Sequence, residues 1–269
     1  MDEPNDPQPH GRRRSLLIRH VLPPLVPLVA VLAGAELAVR LGWVESYLLP
    51  PPTAVARSLA ADWRELSRAT VNTAVAAAAG FALSAVVGVA AAVGLASSAW
   101  ARRAFYPYAV FFQTVPIVAV APLLVIWVGY GLPTAAAAAF IVSLFPVVAN
   151  ALAGLRATDP ALLDLFRLYG AGRAATLLKL RLPAALPQVL TGLRVAGGLA
   201  VIGAIVGEFI GGNGSLGDVI TSALTQQRNA KVFAAVLLAS LLGLGLFGAI
   251  NAASRLALRN WHASERDVR

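Results

Sequence analysis

The sequence predicts an all-α protein built from six membrane-spanning helices. Three observations carry that prediction. Hydrophobic residues make up 58% of the 269 residues, charged residues only 13%, and mean hydropathy is +0.72, far from an ordinary soluble domain. The few charges gather in short groups between long apolar runs. Those runs are close to the roughly 20 residues that a helix needs to cross about 30 Å of hydrocarbon.

Taken in order, residues 1–20 read as a polar, proline-containing tail with a basic group at Arg12, Arg13, Arg14 and Arg19. The first apolar run, 21–39, has the charged start and the small Ala33-Gly34-Ala35 of a cleavable signal. Its length, its Pro23, Pro24 and Pro27, and the five spans that follow favour an uncleaved helix instead. Glu36 and Arg40 stand four apart on one face near its end, where such a pair neutralises itself. Pro50-Pro51-Pro52 halts the chain, and Thr53 is the expected N-cap of a short amphipathic helix reaching Leu66.

The second span, 71–96, carries no charge and ends before Arg102 and Arg103. The third, 109–128, contains Gln113, Thr114, Pro116 and Pro122. Proline frees backbone carbonyls that neighbours or a water-lined path must satisfy, so this helix is expected to kink. Val128-Gly129-Tyr130-Gly131 matches the end of a potassium-channel filter, but Trp127 stands where threonine belongs, and a tight turn between spans is expected. The fourth span, 134–155, holds Ser143, Pro146 and Asn150; hydrocarbon penalises the amide, so Asn150 should face another helix or a pathway. In the fifth, 186–210, Gly203, Gly207 and Gly211 recur every four residues and let two helices approach closely, within the chain or between copies. Glu208 ends it, read equally well as a gate or as an outer-surface acid. A glycine turn, a segment with a short helix over 217–231, the sixth span 232–256 and a tail at 261–269 complete the chain.

Between spans four and five lies a basic segment, 156–183. Leu165, Phe166, Tyr169, Leu177, Leu178 and Leu180 alternate with Asp164, Arg167, Arg173, Lys179 and Arg181, which suits short surface helices with one apolar side. Gly170 breaks the pattern and lets one helix stop and another start at an angle.

Gly170-Ala171, then Leu182-Pro183-Ala184-Ala185-Leu186-Pro187 and Thr191-Gly192-Leu193-Arg194, resemble the cytoplasmic "EAA" loop of bacterial ABC-importer permeases, nearest in wording to the nitrate, sulfonate, taurine and bicarbonate branch. The resemblance covers roughly residues 48–260 and implies the type I ABC importer permease fold. It implies a coupling helix that sits in a groove of a separate ATPase, with Asp164, Arg167, Gly170, Ala171, Arg173, Lys179 and Pro183 at that contact. One departure is plain: Asp164-Leu165-Phe166 stands where the family has Glu-Ala-Ala. The family's Pro-Ile-Pro-like stretch, matched in part by Val115-Pro116-Ile117, lines the translocation route, which points to Gln113, Thr114 and Pro116, with Asn150 and Glu208, as pathway candidates. The family's permeases pair through the fifth span, which assigns Gly203, Gly207 and Gly211 to a dimer interface.

Charge sets the orientation. Fifteen Lys and Arg fall on the side of the termini and the 156–183 segment and five on the other, with Arg40 and Arg194 inside spans. The positive-inside rule puts both termini on the cytoplasmic side, and the resemblance implies a bacterial cell membrane. The net charge of +9 does not read as nucleic-acid binding, because no basic stripe interleaves with aromatics.

The sequence offers no catalytic constellation. His10, His20 and His262 are terminal, there is no cysteine, and neither Lys179 nor Lys231 follows glycine as a phosphate loop requires, so no metal, cofactor or enzymatic activity is expected. If transport is driven by ATP, as the resemblance implies, hydrolysis belongs to partner subunits. The resemblance implies an assembly of two ATPase copies, a second permease copy and an extracytoplasmic binding protein that delivers a small solute, set in membrane lipid. That solute is an aliphatic sulfonate, taurine or nitrate-like anion, or a thiamine-precursor pyrimidine. The alternative is a secondary transporter or channel uncoupled from an ATPase.

Overall fold

The computed structural model describes residues 12–258. Among them are eleven α-helices, one π-helical stretch and no strand: α1 (Arg12–Arg40), α2 (Pro52–Ala61), α3 (Trp63–Ser97), α4 (Ala99–Thr114), α5 (Ile117–Val128), α6 (Leu132–Arg156), α7 (Pro160–Leu168), α8 (Arg173–Thr176), α9 (Leu182–Gly211), α10 (Leu216–Thr225) and α11 (Asn229–Leu258). The π-helical residues Leu177–Arg181 run α8 into α9. Residues 1–11 of the expected N-terminal tail, the C-terminal tail 261–269, Arg259, His10 and His262 lie outside the described residues.

Among the described residues, four helices are long and apolar enough to cross a membrane: Trp63–Ser97, Leu132–Arg156, Arg173–Gly211 and Asn229–Leu256. The first expected span is α1, which continues as helix through Pro23, Pro24 and Pro27. The third differs from the expectation of one kinked helix. Proline disfavours helical backbone in the residue before it, and Val115 is extended at ψ 123°, so the chain breaks there into α4 and α5, with Pro116 capping the second. Helix α4 also starts ten residues earlier than expected, because the Ser98 hydroxyl caps it by accepting from the Ala101 amide.

Thr53 is likewise not an N-cap. Pro51 holds that position, and Thr53 donates from its amide and hydroxyl to the two carboxylate oxygens of Glu36, at 3.1 and 2.9 Å. Glu36 also pairs with Arg40 at 2.7 Å, as the spacing predicts, and so fastens the end of α1 to the start of α2.

At the centre α6 lies between α3 and α9. Small residues on both its sides make this possible. A Cβ on Gly80 of α3 would come within 2.5 Å of the Ala136 carbonyl, and one on Gly154 of α6 within 2.8 Å of Gln188 on α9. The shared core is Ala76, Ala77, Ala135, Ala139, Ala200 and Ala204, where close backbone approach supplies dispersion contacts in place of large side chains. Leucine-rich clusters close the two ends, around Leu152 and Leu155 at the α7 end and around Leu66 and Leu216 at the α10 end.

This arrangement corrects one expectation. Gly203, Gly207 and Gly211 are buried against α6 of the same chain: a Cβ there would meet the Ala138 carbonyl at 2.7 Å, the Ala135 Cα at 2.9 Å and Thr134 at 3.0 Å. Their surface is used up inside the chain, so a second copy has no access to it.

Candidate functional site

Three places gather the candidate residues. The first is the segment beyond the α7 end of the bundle. Asp159 caps α7 by accepting from the Ala161 amide at 2.8 Å, and Pro160 opens the helix. The helix stops at Gly170, whose φ of +67° is open to glycine. The Ala171 amide then donates to the Phe166 carbonyl at 2.9 Å and the Gly170 amide to the Arg167 carbonyl at 3.0 Å, the paired bonds of a Schellman stop. Gly170 therefore sets the angle between α7 and α8.

The same turn presents an apolar stripe. Leu162 and Leu165 are exposed, Leu168 is 85% exposed and Tyr169 83%. Asp164 and Arg167 flank it with a surface ion pair at 2.8 Å that contributes little stability. Arg173 and Lys179 are also exposed, whereas Ala171 and Pro183 are half-buried, Pro183 in the first turn of α9. The sequence placed Tyr169 on the apolar side of this segment but gave Leu168 no role. Its signal was available, since Leu165 and Leu168 are one turn apart.

The second place is the break between α4 and α5. Gln113 lines a chamber of about 240 Å³ with Phe140, Ile141, Leu144, Phe145 and Val148 of α6. Thr114, exposed beside it, donates to the Phe111 carbonyl, and Pro116 is exposed at the break itself. Asn150 does not join them. It packs against Gly192 on α9 and donates to the Pro146 carbonyl one turn back. Arg194 is half-buried on α9, with its Nε shielded and without a hydrogen-bond partner.

The third is the α10 end. Glu208, 2% exposed, accepts through Oε2 from the Thr73 hydroxyl at 3.0 Å and the Gly217 amide at 2.9 Å. It sits beside a chamber of about 320 Å³ lined also by Asn72, Tyr130, Asn213 and Ser215. Tyr130 belongs to the expected turn, where Gly129 and Gly131 take φ of +87° and +84°.

The same end carries a cluster that sequence reading missed. Arg228 holds Asp62 at 2.9 Å, and Lys231, almost wholly buried, reaches Glu65 at 2.6 Å. Burial pushes the Asp62 carboxyl up, but hydrogen bonds from Arg228 and Ser58 and the charges of Lys231 and Arg228 outweigh it and leave its pKa below the ordinary value. These partners are 166 residues apart, so no local pattern announces them.

Residues 84–257 match the family model described as "Binding-protein-dependent transport system inner membrane component". The chain belongs to that family. The formylaminopyrimidine transport permease ThiX of Halalkalibacterium halodurans is 38% identical, over 66% of this chain and 72% of its own. The riboflavin transport system permease RibX of Chloroflexus aurantiacus is 31% identical over 89% and 90%. The taurine transport system permease TauC of Escherichia coli is 29% identical over 94% and 95%. A solved chain of the MetNI methionine ABC transporter superposes with a TM-score of 0.65 at 19% identity, covering 72% of this chain and 97% of that one. This is the type I permease fold, and the protein is a multi-pass ABC-importer permease.

Proposed function

We propose that this permease moves a small solute into the cytoplasm when a separate ATPase, docked on α7, drives its helices between outward-open and inward-open arrangements. The observation that carries the reading is the exposed stripe ending in Leu168 and Tyr169, held beyond the spans by the Gly170 turn. An apolar surface of this kind in water calls for a partner. Charge supports the orientation: Arg156, Arg167, Arg173, Lys179 and Arg181 gather at the α7 end, which we place in the cytoplasm with both termini. The α10 end then faces outward, where an external binding protein delivers the solute. Two permease copies and two ATPases complete the assembly, and the pathway passes the α4–α5 break at Gln113. Hydrolysis takes place on the ATPase chains.

The solute is a formylaminopyrimidine, or an anion of the sulfonate, taurine or nitrate kind, as in the relatives, and the binding protein selects it. In proteoliposomes carrying permease, ATPase and binding protein, uptake should require ATP. Gly170→Pro, which cannot adopt a positive φ, should abolish uptake while the variant inserts normally. Normal uptake by this variant would end the coupling assignment.

A further inference from the structure

The buried polar knot at Glu208 joins three helices. Glu208 belongs to the last turn of α9, Thr73 to α3, and Leu216 and Gly217 to the first turn of α10. The Thr73 hydroxyl accepts from the Leu216 amide at 3.0 Å, so its proton is free to go to Glu208 Oε2, which also takes the Gly217 amide. Two of the amides left unpaired at the start of α10 are thereby satisfied by side chains of other helices. Asn72, next to Thr73, donates to the Gly214 carbonyl at 2.8 Å and ties down the preceding turn as well. Packing reinforces the knot: a Cβ on Gly217 would come within 2.5 Å of Glu208 Cβ and 2.8 Å of the Ile205 carbonyl.

The carboxylate uses only half of itself. Oε1 is buried without a hydrogen-bond partner, and Ser215 Oγ, facing the carboxylate, makes no hydrogen bond of good geometry either. Among the described residues no basic side chain forms an ion pair with Glu208. The bonds made here are those of an acceptor, aimed at α10.

We infer that Glu208 and Thr73 are positioning residues of the outer gate: they latch α10 to α3 and α9, so that the outward mouth opens and closes as one body with the spans. The latch acts through hydrogen-bond acceptance rather than charge. A glutamine at 208 serves it, because its carbonyl can take both donors while its amide turns to Ser215. This inference rests on the importer reading.

The chain has no cysteine, so Asn213→Cys, exposed at the chamber rim, gives a single thiol whose labelling by an impermeant maleimide reports the outer mouth. In the reconstituted complex, labelling should differ several-fold between nucleotide-free and ATP-bound states. Adding Thr73→Val should erase that difference and lower the turnover of uptake with little change in solute KM. Gly217→Ala, which wedges α10 away without removing any polar group, should do the same. Glu208→Gln should keep both the difference and most of the uptake. The latch is overturned if Thr73→Val and Gly217→Ala label as the parent does, or if Glu208→Gln behaves like a broken latch, which would make the charge the working feature. A parent complex without ATP-dependent uptake would instead remove the importer reading, and the latch with it.

Discussion

Replacing Gly203 by alanine tests how this bundle is held together. In the interior of α9, alanine is favoured over glycine by about 1 kcal/mol from helix propensity alone. At Gly198 that gain should appear undiminished, since a Cβ there meets nothing within 4 Å. At Gly203 the Cβ would lie 2.7 Å from the Ala138 carbonyl oxygen and 2.8 Å from the Ala139 Cα. Both atoms are backbone of α6, so no rotamer can yield and the two helices must part. Overpacking of this kind costs about 1–3 kcal/mol. Gly203→Ala should therefore be about 1–3 kcal/mol less stable than Gly198→Ala, a separation in melting temperature of about 2–12 °C for a domain of this size. Fluorescence-monitored melting in detergent, with light scattering for copy number, reads both quantities. The reasoning is refuted if Gly203→Ala melts at or above Gly198→Ala. It is equally refuted if melting is unchanged while the assembly loses a copy, which would return the glycine stripe to an interface between chains.

Two further predictions concern the charged cluster at the α10 end. The Asp62 pKa is held below its ordinary 3.8, so the stabilisation is present above that pH and is lost as pH falls through the lowered folded-state value. Asp62→Asn should melt below wild type at neutral pH, and the gap should begin to narrow near the ordinary value of 3.8 and close only below the lowered folded-state value. Lys231→Met strips the cation from Glu65 and weakens the field on Asp62; melting should show a loss of about 1–3 kcal/mol, with Lys231→Arg recovering part of it.

Much of the fold was legible because hydrocarbon imposes a length on every span: the runs at 134–155, 186–210 and 232–256 match α6, α9 and α11 within about a turn, and 71–96 matches α3 except that the helix starts eight residues earlier, at Trp63. The third span was not, because a proline pattern announces a bend without stating whether the helix survives it. Here the extended Val115 ends it. The glycine stripe announced a close approach but could not name the partner, since Gly203, Gly207 and Gly211 look the same against α6 as against a second copy. In the 156–183 segment the Gly170 turn was readable from a single glycine in an amphipathic pattern. The Thr73–Glu208 hydrogen bond was not, because Thr73 lies 135 residues away and carries no signal of its own.

The central claim, that an ATPase seats on α7, is most directly tested by cross-linking. The cysteine-free chain allows a photoreactive maleimide to be placed at one site at a time. Tyr169→Cys at the α7 end and Tyr47→Cys at the opposite end are both well exposed. In an actively transporting complex, Tyr169→Cys should form an adduct with the ATPase, and Tyr47→Cys should not. An ATPase adduct from Tyr47→Cys, or none from Tyr169→Cys, would contradict the account.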